Sequence, residues 1–156
     1  MALFLSRFDN KVDRKGRVSV PAPFRAALSQ QAYQGVVVYP SPVAPALEGC
    51  GRDRIEEIAA SIDSFNPYSE EGGALAAAIL TRSAELAFDG EGRVVLPEAL
   101  MAFAGISDAA TFAGRGATFQ IWNPEAYGVY EREALQRARE QAPQLALRRA
   151  AQGAAT

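Results

Sequence analysis

The chain has 156 residues, with 16 Lys and Arg against 18 Asp and Glu, no histidine and a single cysteine. Without histidine there is no imidazole for acid–base catalysis or metal binding, and one cysteine forms neither an internal disulfide nor a paired-thiolate metal site. We therefore expect a cytoplasmic globular protein that is not an enzyme, holds no cofactor, and carries neither a membrane span nor a secretion signal.

The net charge of −2 hides an uneven distribution along the chain. Residues 1–40 carry six basic and two acidic side chains, whereas residues 70–110 carry two basic and seven acidic ones. Residues 111–156 carry six basic and four acidic side chains. A basic N-terminal quarter is compatible with a negatively charged partner such as nucleic acid, although the chain as a whole is acidic.

A nine-residue motif occurs twice, as DRKGRVSVP at residues 13–21 and as DGEGRVVLP at residues 89–97, an offset of 76 residues. An offset close to half the chain indicates that one structural unit was duplicated. In each copy, Asp at the first position and Gly three residues later are typical of a type I turn closed by a left-handed residue. We expect a β-hairpin at each copy, with residues 8–12 pairing with 18–20 and residues 85–88 pairing with 94–96.

Other elements follow from local patterns in chain order. Pro21 and Pro97 end the strands and open short amphipathic helices. Strands are expected at residues 36–39, 111–113 and 118–122, and helices from Ile55 to Ile62, from Glu70 onward, and from Pro124 until Pro143. Cys50, between two glycines, is interpreted as a small residue in a tight turn.

These elements divide the chain into two repeats, with a linker between them and a tail after them. We expect the first repeat at residues 1–68, a connecting helix at 69–83 and the second repeat at 84–142. Residues 143–156 are rich in Ala, Gln and Arg without aromatic side chains, which predicts a disordered tail.

The first turn carries the clearest candidate for a binding site. Arg14, Lys15 and Arg17 place three cations within four residues at an exposed turn, which suits phosphate contact, and Arg17 can present its planar fork to a guanine edge. The alternative is a solvated charged turn in which Asp13 only satisfies backbone N–H groups and pairs with Arg17. Because a turn needs the Asp and the Gly but not the Arg, recurrence of the Arg in both copies favours a function.

The second turn differs in charge. Gly90 and Glu91 stand where the first copy has Arg14 and Lys15, so this tip is negatively charged and repels phosphate except through Arg93. We therefore expect the two tips not to be equivalent.

Candidates for catalysis are weak. The pairs Glu56-Glu57 and Glu70-Glu71 are adjacent in sequence, so on a helix their carboxylates point in different directions and suit a solvated face. Gly114-Arg115-Gly116 lacks the sequence context of a phosphate-binding loop.

Taken together, three features of the chain resemble the MraZ family of bacterial transcription regulators, encoded at the start of the division and cell wall gene cluster. They are the paired Asp-x-x-Gly-Arg motifs, the Tyr39-Pro40 step after the first-half strand, and the segment Phe119-Gln120-Ile121-Trp122 before a helix. The resemblance covers roughly residues 1–140.

The resemblance implies an α+β fold in which two tandem AbrB-like hairpin and helix repeats form a pseudo-dimeric β-barrel, with flanking helices, inside one chain. It implies ring-shaped homo-oligomers that bind double-stranded DNA at direct repeats in the promoter of their own gene cluster, usually as a repressor associated with the nucleoid. It implies neither a small-molecule substrate nor a membrane partner.

The resemblance also implies which residues bind DNA, because the family uses its Asp-x-x-x-Arg motif for this purpose. The expected DNA-binding residues are Asp13, Arg14, Lys15, Gly16, Arg17, Asp89 and Arg93. Members usually have Lys directly after the Asp; Arg14 keeps that charge in the first copy, whereas Gly90 loses it in the second.

Two other functions remain open on the sequence. One is an oligomeric interaction or scaffold protein without a nucleic-acid role. The other is an AbrB-like antitoxin, which would carry a partner-binding tail and need no second full repeat, so the complete duplication argues against it.

Overall fold

The computed structural model describes residues 2–66 and 68–141, and these residues form a mixed α and β structure. Its strands are β1 (Arg7–Lys11), β2 (Arg17–Ser19), β3 (Gly35–Pro40), β4 (Leu47–Cys50), β5 (Ala84–Ala87), β6 (Arg93–Val95), β7 (Ala109–Gly114) and β8 (Phe119–Trp122). Its helices are α1 (Ala22–Ala27), α2 (Arg52–Asp63), α3 (Glu70–Leu75), which continues as a π-helical segment (Ala76–Leu80), α4 (Glu98–Ala104) and α5 (Pro124–Gln141). The predicted α+β class is confirmed, whereas the tail predicted at residues 143–156 lies outside the described residues.

The strands form two antiparallel sheets. Six of them lie in the order β1-β7-β8-β4-β3-β5, and β2 and β6 form a separate two-stranded ribbon. In the ribbon, Val18 and Val94 are each 1% exposed and face the core, while the residues on either side of them face outward. This alternation is the period of two that a half-buried strand requires.

The strand pairing is symmetric with respect to the duplicated motif. In the ribbon, Val18 lies opposite Val94, which occupies the same motif position. The last strands of the two halves, β4 and β8, also pair with each other. There Glu48 lies opposite Gln120, and Gln120 Nε2 donates a hydrogen bond to Glu48 Oε2 at 2.9 Å. The order of the large sheet shows the same symmetry. If β1, β3 and β4 are exchanged for β5, β7 and β8, the strand order is the same when it is read from the opposite edge. The two halves therefore have the same topology, which supports a duplication.

The two motifs form the predicted turns, but the prediction that the strands flanking each turn pair with each other as a hairpin is wrong. Val12 and Val18 form one isolated bridge, but β1 pairs with β7 and β2 pairs with β6. In the second half, β5 pairs with β3. The strands exchange partners because pairing β2 with β6 satisfies the backbone groups of both short strands and buries Val18 and Val94 together.

One hydrophobic core serves both halves of the chain. The Phe24 ring lies 5.2 Å, centroid to centroid, from both Phe4 and Phe119, 5.6 Å from Phe8 and 6.3 Å from Phe112. Phe4, Phe24, Phe112 and Phe119 are all 0% exposed. Because first-half and second-half rings pack on one another, the strands of each half depend on the other half for burial.

A second apolar cluster lies where α2 packs on the other face of the large sheet. It contains Val37, Tyr39, Cys50 and Ile55. Cys50 is the last residue of β4 and is 1% exposed, so its predicted place in a turn is wrong. Burial raises the pKa of the Cys50 thiol to about 12, which keeps it protonated and unreactive at neutral pH.

The chain divides into two compact units after Pro124, and α5 belongs to the second of them apart from that first residue. Pro124 opens this helix and Glu125 lies in its first turn, where an acidic side chain is favourable. The helix is described as far as Gln141, and its predicted end at Pro143 lies outside the described residues. Within residues 2–66 and 68–141, no helix has the length and apolar character needed to cross a bilayer.

Candidate nucleic-acid interface

Asp13 organises the first motif turn. Its Oδ1 accepts hydrogen bonds from the backbone N–H groups of Lys15 and Arg17, each at 2.9 Å, and its Oδ2 accepts one from Arg17 Nε at 2.6 Å. The N–H of Gly16 donates to the Asp13 carbonyl at 3.0 Å, and Gly16 has a φ of +81°. The predicted turn closed by a left-handed glycine is confirmed.

Asp89 organises the second turn in the same way. Its Oδ1 accepts from the N–H groups of Glu91 at 2.8 Å and Arg93 at 2.9 Å, and its Oδ2 accepts from Arg93 Nε at 2.9 Å. Gly92, with a φ of +77°, takes the position of Gly16. The aspartate of each copy therefore has a structural role, as the alternative interpretation of the motif requires.

The same contacts set the charge of the two aspartates. The Arg17 backbone N–H, above all, lowers the pKa of Asp13 below its ordinary value of 3.8, and the Arg93 N–H does the same for Asp89. Both carboxylates are therefore ionised at neutral pH. Each holds the arginine of its motif in place as an exposed ion pair.

The arginines of the two turns differ in how completely their charge is compensated. Arg17 pairs with Asp13 alone among the described residues. Arg93 pairs with Asp89 at 2.9 Å and also with Glu91 at 3.5 Å, and the Asp89 hydrogen bond is the main reason that its pKa is raised. The first turn adds the exposed cations Arg14 and Lys15, so it alone carries a net positive charge.

The ribbon places the arginines of both motifs on one outer face. Arg17 lies opposite Val95, and Ser19 lies opposite Arg93. Residues directly opposite each other in an antiparallel pair project from the same face, so these four side chains share the face turned away from the buried valines. Arg17 and Arg93 also line one open depression. The structure therefore brings together two motif arginines that are 76 positions apart in the sequence.

Sequence reasoning missed Arg25, a half-buried residue of α1 that lies against the second turn. Its Nε donates a hydrogen bond to the Val20 carbonyl at 3.1 Å, and a Cβ added to Gly92 would lie only 2.5 Å from the same Nε. No local pattern indicates this contact, because it arises from the exchange of strands between the halves. The alignment of the two motif copies places Met101 at the equivalent position, and Met101 Sδ lies beside Gly16.

The other candidates have structural explanations. Glu56 and Glu57 form surface ion pairs within α2, with Arg52 at 3.6 Å and with Arg54 at 3.5 Å. A Cβ on Gly114 would lie 2.6 Å from the backbone of Phe4, so this glycine allows the N-terminal segment to pack closely. These glutamates and this glycine thus have roles in packing and surface charge.

We expect Gly16→Ala to destabilise the protein more than Gly92→Ala, although both glycines have a positive φ. A Cβ at Gly16 would lie 2.8 Å from the backbone oxygen of Leu96, which has no freedom to move, whereas a Cβ at Gly92 meets only the flexible side chain of Arg25. With a left-handed alanine costing about 1–2 kcal/mol, we expect a loss of about 2–4 kcal/mol for Gly16→Ala and about 1–2 kcal/mol for Gly92→Ala.

Urea denaturation of the two variants beside the unmodified protein measures this difference. Gly73→Ala serves as the control, since a Cβ there meets nothing within 4 Å and the residue lies in a helix. Equal losses for Gly16→Ala and Gly92→Ala would contradict the assignment of the Leu96 backbone as the deciding contact.

Several known proteins are similar in sequence to this chain over most of its length. A family model described as "MraZ protein, putative antitoxin-like" matches residues 79–150. The transcriptional regulator MraZ of Rickettsia bellii (strain OSU 85-389) is 47% identical over 131 residues, covering 83% of this chain and 87% of that protein. The protein of the same name from Pelagibacter ubique (strain HTCC1062) is 46% identical over 136 residues, covering 87% and 88%. That from Rickettsia akari (strain Hartford) is 43% identical over 141 residues, covering 90% and 95%.

Proposed function

This chain belongs to the MraZ family, and from this membership we propose that it is a transcriptional regulator that binds double-stranded DNA in a sequence-specific manner. The name shared by its relatives supports the regulatory role. The binding of DNA rests on the chemistry of the first motif turn.

The observation that carries this proposal is the net positive turn at one end of an exposed β-ribbon. Arg17 is held by Asp13 on the outer face of the ribbon, and Arg14 and Lys15 extend from the turn beside it. A two-stranded β-ribbon fits the major groove of B-DNA, where arginine is the commonest reader of guanine. In our proposal Arg17 reads a base edge while Arg14 and Lys15 contact phosphates.

The DNA-binding residues then divide by role. Asp13 and Gly16 shape the first turn, and Asp89 shapes the second turn in the same way. Arg14, Lys15 and Arg17 touch DNA directly, and Arg93 adds a weaker contact because two carboxylates already compensate its charge.

We further propose that the fold is the AbrB-type swapped-hairpin barrel, built within one chain. The exchange of β2 and β6 between the halves supports this relation. The repeat boundaries at residues 1–68 and 84–142, with residues 69–83 connecting them, belong to the same proposal.

A ring-shaped homo-oligomer explains how so few contacts give useful affinity. One basic turn per subunit binds DNA weakly, but several turns aligned with direct repeats gain from avidity, which adds on the order of 10²–10⁴ in affinity without new contacts. Binding at the promoter of its own division and cell wall gene cluster blocks transcription, so the protein acts as a repressor in the nucleoid. Only the surface that faces the DNA must be basic, so DNA binding is compatible with a net charge of −2 for the whole chain.

Footprinting on the DNA upstream of its own gene, combined with the mass of the protein in solution, tests this function. We expect protection of evenly spaced repeats by an oligomer, and an affinity that falls with salt by about 0.9 log units per log unit of salt for each phosphate neutralised. Absence of protection, or binding that is independent of salt, would favour the scaffold protein instead.

A further inference from the structure

The exchange of strands carries α1, from the first half, to the turn of the second half. The Val20 N–H, just before α1, donates a hydrogen bond to the Gly92 carbonyl at 3.1 Å. In the other half, the Leu96 N–H donates to the Gly16 carbonyl at 2.8 Å. Each motif turn is therefore bordered by the helix of the opposite half.

Arg25 is the charged residue that this arrangement brings to the second turn. Its Nε donates a hydrogen bond to the Val20 carbonyl, and its Cδ, Nε and Cζ atoms all lie within 2.8 Å of where a Gly92 Cβ would be. Arg25 lines an open depression together with Asp89 and Gly90. Within residues 2–66 and 68–141 it forms no ion pair, so its charge is not compensated by a carboxylate.

At the first turn, the position equivalent to Arg25 is occupied by a neutral residue of the opposite half. Met101 occupies the position of Arg25 in the second motif copy, and its Sδ lies 3.5 Å from where a Gly16 Cβ would be. The chain therefore carries its cations differently at the two turns. The first turn has Arg14 and Lys15 in its own loop and a neutral neighbour, whereas the second has Gly90 and Glu91 in its loop and an arginine neighbour.

We propose that Arg25 is the DNA phosphate contact of the second turn, supplied to it by the opposite half of the chain. This inference rests on the proposed DNA-binding function and extends it to the turn whose own loop carries no free cation. The second turn then contacts DNA through Arg25, because Gly90 and Glu91 stand where the first turn has Arg14 and Lys15.

The surroundings of Arg25 suit a phosphate. Asp89 is occupied by the Arg93 side chain and two backbone N–H groups, and Glu91 pairs with the same arginine, so both carboxylates face partners other than Arg25. Gly90 has open space around its Cα, with nothing within 4 Å of an added Cβ, so a nucleic-acid backbone can approach closely. Including Arg25 brings the charge of the second turn from negative to neutral, which removes the repulsion of phosphate.

The salt dependence of binding to a duplex that carries the protected repeats tests this assignment. We expect Arg25→Met, which installs the residue that the second motif copy carries naturally, to weaken binding several-fold and to reduce the salt slope by about 0.9 for each second turn engaged. Arg25→Lys keeps the charge and loses the planar fork, so we expect it to retain the slope of the unmodified protein. A purely structural arginine would instead make both variants less stable in urea without changing the slope.

An unchanged slope in folded Arg25→Met would overturn the inference, and so would a slope lost equally in Arg25→Lys. If Arg25→Met does not fold, Met101→Arg gives the same test at the first turn, where an added cation should steepen the slope by about 0.9 per turn; no steepening there would also overturn it. Failure of the proposed function looks different, because the unmodified protein would then bind no duplex or bind it independently of salt.

Discussion

Replacing Arg17 by Ala should weaken binding to the repeated operator by at least about 100-fold while leaving the fold and the oligomer unchanged. The loss is large because the same base contact disappears from each subunit engaged on the DNA. The fold should survive, since the Arg17 guanidinium is partly exposed and its ion pair with Asp13 lies at the surface, where such pairs contribute little. Asp13 still accepts the backbone N–H bonds that close the turn.

Fluorescence anisotropy on an operator duplex measures this loss, and light scattering reports the oligomer. Arg93→Ala is the matched control, because it removes the equivalent arginine of the second copy. We expect a loss of about tenfold or less for Arg93→Ala, since Asp89 and Glu91 already compensate that charge. Operator affinity that survives Arg17→Ala would remove the basis of the proposed function.

Truncation of Phe24 to Ala should lower the free energy of unfolding by about 3–5 kcal/mol, among the largest losses for a single core side chain. Phe24 is 0% exposed and its ring contacts phenylalanines from both halves of the chain. Because one core serves both halves, we also expect the protein and this variant to unfold in a single transition.

Urea denaturation followed by circular dichroism checks both statements. Phe103→Ala on α4 is the control, because Phe103 is 38% exposed and the Arg82 guanidinium lies 5.4 Å from its ring centroid. We expect this control to lose about 1 kcal/mol or less. Two separate transitions, or similar losses for the two variants, would contradict a shared core.

Local patterns predict most elements of the fold correctly. The valines of β3, the isoleucines of α2 and the Asn123-Pro124-Glu125 start of α5 each have a signal within a few residues. The missed strand, β4, has no such signal, since it reads Leu-Glu-Gly-Cys. Gly49 is there because a Cβ would lie 2.3 Å from the Phe119 ring, a contact with a residue 70 positions away.

The sequence by itself determined the repeated motif, the Asp-centred turns, the concentration of cations in the first turn and the family of the chain. All of these depend on residues that are near one another in sequence, where turn geometry and charge are set by a few neighbours. The cation cluster of Arg14, Lys15 and Arg17 can be recognised in this way, because its residues lie within four positions of the sequence.

Only the tertiary structure decided which strands pair, and with that which residues meet at each turn. Residues 17–19 alternate polar and apolar and so show which face is buried, whereas residues 93–95 read Arg-Val-Val and do not alternate. Neither pattern shows whether a strand pairs within its own hairpin or with the other half. The exchange of β2 and β6 brings Arg17 and Arg93 to one face and carries Arg25 to the second turn. Those placements depend on burial shared between distant segments, which no window of the sequence contains.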